Sequence, residues 1–186
     1  MSYLCAMVEI KPCLYTQLSR DQINRLYDLM LHAYSVTEVE IWGENYARMS
    51  KEEYVSLLQG NSVHIAWIKG EIVGSIYFYP ISDEVFGFGL LNADFAESGK
   101  GIGRALIAAA EHSAFERGAK SMQLEILKPR DLEVPFKDRL SKWYINQGYT
   151  FTGTYGFVEL KPDKAEKAKK MVNPSVFDVY SKALIS

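Results

Sequence analysis

A chain of 186 residues, 48% hydrophobic and 24% charged, is long enough to bury a core of its own and has the composition of one globular domain over 1–186. Its 21 Lys and Arg against 23 Asp and Glu leave a formal charge of -2, which excludes an overall basic surface for nucleic acid. No stretch approaches the ~20 apolar residues of a membrane span, the start lacks a basic leader, and Cys5 and Cys13 are too few for a disulfide scaffold, so a cytoplasmic protein with no membrane partner is expected.

Residues 8–14 predict a first strand. Ser19 then caps a helix whose Ile23, Leu26, Tyr27, Met30 and Leu31 recur at three- and four-residue steps. The period loosens over 35–50 into an acidic, aromatic stretch with Glu38, Glu40, Trp42, Glu44 and Tyr46, a candidate substrate loop, before Ser50 and Glu53 form a capping box for a short helix. β-rich runs at 63–68 and 72–79 flank Lys69-Gly70-Glu71 and predict a hairpin turning at Gly70.

A third β-rich run, 85–93, leads into Glu97-Ser-Gly-Lys-Gly-Ile-Gly-Arg-Ala-Leu106. Residues 102–115 carry a helical period, Gly118 stops it, and 121–127 predicts the next strand, giving a β-loop-α-β unit with parallel strands. A charged connection over 128–135 follows, then a helix at 137–146 closed by Gly148, a strand at 149–160 and a lysine-rich helix from Pro162. Asp163 and Glu166 alternate with those lysines, so a solvated helix face is expected; Asn173-Pro174 ends it before a last strand at 176–184.

Glycines at 99, 101 and 103 let the backbone turn freely beside a ligand, and the N-terminus of the following helix attracts an anion. An ATP-binding loop of this kind needs Ser or Thr after Gly-Lys, where Gly101 stands. A dinucleotide loop needs Gly or Ala where Leu106 or Arg104 stands.

The loop resembles the GNAT superfamily of acetyl-CoA-dependent N-acetyltransferases, whose signature is Arg or Gln, two residues, Gly, one residue, then Gly or Ala. Gly101 and Gly103 supply the glycines, and Ser98 stands where Arg or Gln is usual. Leu140-Ser-Lys-Trp-Tyr144-Ile-Asn-Gln-Gly148-Tyr149 resembles the family's second block, a helix ending in aromatic-Tyr, three residues, Gly-aromatic. The resemblance covers about 63–156, and 179–184 looks like a last strand of such enzymes.

It implies a mixed, mostly antiparallel α/β sheet of about six to seven strands flanked by helices, with an acetyl-CoA-binding core at about 85–149. It also implies acetyl transfer to a primary amine of a small molecule, peptide or protein, by direct attack in a ternary complex, with acetyl-CoA as co-substrate and no metal. The alternative is an inactive CoA-binding sensor or interaction domain, and either a monomer or a homodimer fits.

By resemblance, the backbone of Ser98, Gly99, Lys100, Gly101, Ile102, Gly103 and Arg104 grips the coenzyme pyrophosphate, and Leu91, Asn92 and Ala93 meet the acetyl group. Tyr144 matches the family tyrosine that protonates the departing thiolate. Gly87 stands where a glutamate base is common, leaving Glu125 as a base acting through water, and Lys137 stands where an asparagine is common, available instead to a CoA phosphate. His64 and His112 lack ligand spacing, so no metal is expected. For the acceptor, Glu38, Glu40, Trp42 and Tyr46 would suit a cationic amine through charge and ring contact.

Overall fold

A computed structural model describes residues 7–184, so Cys5 lies outside it. Strand β1 (Glu9–Pro12) is followed by helices α1 (Arg20–Thr37), α2 (Val39–Trp42) and α3 (Lys51–Gln59), then by β2 (Val63–Ile68), β3 (Glu71–Pro80) and β4 (Val85–Ala93). These four strands form an antiparallel array. Lys69 at φ 51° and Gly70 at φ 82° form the expected hairpin turn, the positive pair matching the twist of the flanking strands.

The second half begins with α4 (Ile102–Glu116), β5 (Ser121–Pro129) and α5 (Pro135–Asn146), and β6 (Thr150–Gly156) comes next. The single turns α6 (Phe157–Leu160) and α7 (Ala165–Ala168) precede β7 (Ser175–Ala183). Together the strands make one seven-stranded sheet in the order β1-β2-β3-β4-β5-β7-β6, mixed and mostly antiparallel. Only β4 and β5 run parallel, as the α4 crossover between them requires.

Each side of the sheet buries a separate cluster. On one, α4 lays Ile102, Leu106, Ile107, Ala110 and Ala114 against Ile76, Phe78, Phe88 and Met122; on the other, Leu26, Leu29 and Met30 of α1 meet Tyr54, Leu58, Ile65 and Ile72. Burial of a side chain such as Leu106 stabilises the fold by about 1.5–3 kcal/mol.

Four expectations shift. The first strand is only Glu9–Pro12, since Tyr15–Gln17 already forms a 3-10 turn. The stretch at 35–50 is not a continuous loop: α1 runs to Thr37 and α2 follows, because Ile41 and Trp42 are buried with Leu127, Phe177 and Val179. The strand expected over 149–160 ends at Gly156, whose backbone N–H donates to Glu159 and opens α6. The lysine-rich helix shrinks to a 3-10 turn, Pro162–Lys164, and α7, with Lys161 and Lys167 partly buried rather than on a solvated face. No described helix is long and apolar enough to cross a membrane.

Candidate active site

Beyond Gly87, which pairs with Gln123, β4 and β5 part, leaving β4 with no strand partner on that side. On its other side β4 slips register against β3 between Ser75 and Tyr77, and Leu90 takes φ 52°. A leucine there is strained by about 1–3 kcal/mol. Asn92 holds this bulge: its Nδ2 donates to the Leu90 carbonyl at 2.8 Å and to Ser75 Oγ at 2.9 Å. That use of the amide fixes Asn92 Oδ1 as an acceptor, and it is buried with no partner among the described residues.

The gap opens into a groove of about 300 Å³ between Leu91, Asn92 and Ala93 of β4, Tyr34 of α1, and Leu140, Trp143 and Tyr144 of α5. Asp94 ends β4 by accepting from Ala96 N at 2.9 Å and is anchored by Arg25, which turns the chain into the glycine loop. Gly99 (φ 82°) and Gly101 (φ 76°) sit in the left-handed region, a conformation that favours glycine. Gly103 is a tight spot instead: a Cβ there would lie 3.2 Å from the Trp143 ring, which would have to give by a few tenths of an ångström. Among the described residues no acceptor takes the backbone N–H of Gly99, Gly101, Ile102, Gly103 or Arg104, which leaves a row of donors at the N-terminus of α4. Ser98 is exposed at the head of this row, and Lys100 is paired with Glu97.

Tyr144 reaches the groove from the end of α5, packed by Phe88 at 5.9 Å and Tyr149 at 6.1 Å between ring centroids. Burial pushes its phenol well above the usual tyrosine range, so the group stays protonated, and its hydroxyl has no hydrogen-bond partner among the described residues. Tyr149 is an anchor rather than a groove residue: its hydroxyl donates to Glu111 at 2.7 Å, and Lys182 holds that same carboxylate. Lys137, expected to be available to a CoA phosphate, lines the groove. It is buried in the groove wall, with Nζ 3.9 Å from Glu38, and burial, opposed by Glu38, lowers its pKa.

A second cavity, about 410 Å³, lies on the other side of the bulge and is lined by Gly89 and Leu90, by Trp42, Tyr77, Tyr79, Phe157 and Phe177, and by Glu125. Glu125 is held by Lys161 at 2.8 Å. Burial raises the Tyr79 phenol, and the nearby Glu125 carboxylate raises it further. The Tyr79 ring explains Gly87, since a Cβ on Gly87 would stand 3.0 Å from it and 2.9 Å from Ile81.

The acidic, aromatic segment divides. Trp42 lines this second cavity and stacks on Tyr46 at 4.6 Å. Glu38 does not present a carboxylate to it: the side chain is buried, accepting from Trp42 Nε1 at 3.0 Å and from Arg48 Nη1 at 2.8 and 2.9 Å. Glu40 lines neither cavity. In place of Glu38 and Glu40 the cavity wall carries Arg48, Lys161, Lys164 and Lys167, which sequence reasoning missed. Their signal was the three-residue spacing of the lysines, which puts side chains on one face of a tight turn.

Among the described residues no group of three or more His, Cys, Asp or Glu could hold a metal. His64 Nε2 is hydrogen-bonded to Ser113 at 2.9 Å, and His112 pairs with Glu116 on an exposed helix face.

A model of the acetyltransferase (GNAT) family matches residues 23–136, more than half of the chain. The chain belongs to the GNAT acetyltransferase family. Its fold is that of solved GNAT acetyltransferases: an aminoglycoside 6'-N-acetyltransferase complexed with coenzyme A superposes with TM-score 0.70 at 17% identity, over 96% of this chain and 98% of that one. A ribosomal-protein-alanine N-acetyltransferase from Brucella melitensis gives 0.67 at 18% identity, over 95% and 99%. A GNAT family acetyltransferase from Elizabethkingia anophelis with acetyl-CoA bound gives 0.65 at 16%, over 95% and 98%. No curated protein matches the chain in sequence. Within the GNAT frame, the groove beside β4, the row of free amides and the unpartnered Asn92 oxygen fit a pantetheine arm and pyrophosphate.

Proposed function

We propose that this GNAT chain is an N-acetyltransferase that moves an acetyl group from acetyl-CoA to the primary amine of a compact acceptor by direct attack. One observation carries the reading: successive residues of a single bulged strand face two cavities, Gly89 and Leu90 lining the larger, Leu91 and Asn92 the groove. An amine in one and a thioester in the other would meet at the strand. Among the described residues no cysteine lines either cavity, and Cys13 is buried with Sγ 3.5 Å from the Leu58 carbonyl and its thiol pushed up to about 11, which favours direct transfer over an acetyl-cysteine route through Cys13.

Acetyl-CoA supplies the activated carbonyl. The amides of Gly99 and of Gly101 to Arg104 bind the pyrophosphate, and a backbone N–H of Leu91 or Ala93, on the edge of β4 that β5 leaves, polarises the carbonyl. As the C–N bond forms and the C–S bond breaks, the Tyr144 hydroxyl gives its proton to sulfur. The proton lost by the amine leaves through water toward Glu125, and Tyr144 regains one from solvent.

Amine-dependent release of free thiol tests the proposal. The wild-type chain is expected to release thiol with at least one member of a broad amine and peptide panel. Gly101→Val is expected to raise KM for acetyl-CoA by about tenfold or more, because a β-branched residue at φ 76° adds about 1–3 kcal/mol of strain or turns the amides away. Coenzyme binding without thiol release would instead assign a sensor domain.

A further inference from the structure

We propose that the acetylated amine also carries a carboxylate, which Arg48, Lys164 and Lys167 hold in the larger cavity. The inference rests on the acetyl-transfer reading and names its acceptor class, an apolar or aromatic body bearing both an amine and an acid.

The charges at this cavity do not balance. Of the cations in its wall, Lys161 is answered by Glu125 at 2.8 Å. Arg48 is answered from behind by Glu38, but both carboxylate oxygens fall on Nη1, so Nε and Nη2 have no acceptor among the described residues. Glu38 must also offset buried Lys137, 3.9 Å away. Lys164 and Lys167 have no carboxylate within 4.0 Å among the described residues. Lys167 rests its ammonium on the Arg48 carbonyl at 3.0 Å and over the Trp42 and Tyr46 rings at 5.3 and 5.6 Å. Five cations, Arg48, Lys137, Lys161, Lys164 and Lys167, therefore gather where only Glu38 and Glu125 form ion pairs with them among the described residues, while Glu53 acts on Lys164 and Lys167 from farther away.

Holding like charges together in a partly desolvated site is unfavourable unless an anion joins them. Burial first, then Arg48 and Lys164, bring Lys167 down to about 8, with Glu38 and Glu53 opposing. Glu53 acts on Lys164 and Lys167 only at a distance: its carboxylate accepts from Ser50 N at 2.7 Å in the α3 capping box and pairs with neither lysine within 4.0 Å among the described residues. A bound carboxylate restores balance and takes charge-assisted hydrogen bonds from Arg48 Nη2 and the two ammonium groups. The remaining wall, with Trp42, Tyr77, Tyr79, Phe157 and Phe177, is aromatic, and about 410 Å³ lies at the small end of ligand sites, which suits a compact molecule. An amino acid with an apolar side chain has this chemistry; a peptide N-terminus, whose first residue has given up its carboxylate, does not.

Matched pairs test it: phenylalanine with phenethylamine and phenylalaninamide, tryptophan with tryptamine, leucine with 3-methylbutylamine, and 4-(aminomethyl)benzoate with benzylamine. Binding is measured by calorimetry in saturating CoA, and turnover by thiol release from acetyl-CoA. In at least one pair the acid is expected to be favoured by about tenfold or more in both readouts, the order of one hydrogen bond to a charged group. Lys164→Glu, at an exposed position, should cut that preference by at least tenfold with acetyl-CoA affinity unchanged, and Lys167→Met should cut it in the same direction. Thiol release from the decarboxylated or amidated members without preference for the acid would overturn the inference and leave acetyl transfer standing. Acid-selective binding with no thiol release would sustain the inference for the cavity and remove the transfer reading. Failure of every acid to bind, or an unchanged preference in Lys164→Glu, would also overturn it.

Discussion

Tyr144→Phe is expected to lower kcat about a hundredfold or more, while Kd for acetyl-CoA stays within about threefold, because a positioned general acid contributes roughly 10²–10⁴. The substitution is a clean probe of the hydroxyl. The ring sits among Phe88, Trp143 and Tyr149, contacts that phenylalanine retains, and the hydroxyl has no partner among the described residues to be left unsatisfied. Folding stability should therefore hold while the chemistry fails. Burial keeps the phenol protonated through and above neutral pH, so Tyr144 can act as acid across the working range and should contribute no basic limb to the pH profile near pH 8. Steady-state kinetics with a saturating amine checks this, and an unchanged kcat would remove Tyr144 from the mechanism.

Glu38→Ala is expected to cost about 3 kcal/mol of stability, toward the lower end of what breaking a buried ion pair costs because Arg48 still reaches solvent at one edge. For a chain of this size that is a fall in Tm of roughly 6–12 °C. Three groups lose their partner together: the Trp42 indole N–H, the Arg48 guanidinium and the Lys137 ammonium. The pH dependence gives the cause away. Burial already sets Lys137 below its unfolded pKa, so between the two values the unfolded chain binds more protons and stability rises with pH. Removing Glu38 lowers the folded value further, so the deficit should be largest near neutral pH and shrink as Lys137 loses its proton toward pH 10. Thermal melts of both proteins across that range measure it; a deficit independent of pH would place the damage at Arg48 and Trp42 alone.

What could be read from the sequence followed local rules. β-rich runs on either side of Lys69-Gly70, the glycines ahead of α4 and the helical period of Ile102, Leu106 and Ala110 each settle backbone conformation within a few residues, and those elements stand where expected. Features set by distant contacts were hidden. Glu38 reads as one more acid in an acidic stretch until the fold brings Arg48 and Lys137 to it. The α2 turn exists because Ile41 and Trp42 find Leu127, Phe177 and Val179 far along the chain. Nothing in a leucine announces φ 52°, and the Leu90 bulge follows from Asn92 and from the loss of β5 pairing. The lysines at 161, 164 and 167 read as a solvated face because their charge was visible and their destination, the wall of the larger cavity, was not.

On the proposed mechanism the β4–β5 gap and the glycine loop hold acetyl-CoA while the larger cavity takes the acceptor. Titrating acetyl-CoA into isotope-labelled protein and following backbone amide shifts by NMR tests this residue by residue. The largest shifts are expected at Gly99 and Gly101 to Arg104 and at Leu91 and Asn92, with only small changes at Lys164 and Lys167. Saturable binding with shifts clustered around Trp42, Lys164 and Lys167, or no shift at the loop at millimolar acetyl-CoA, would contradict the account.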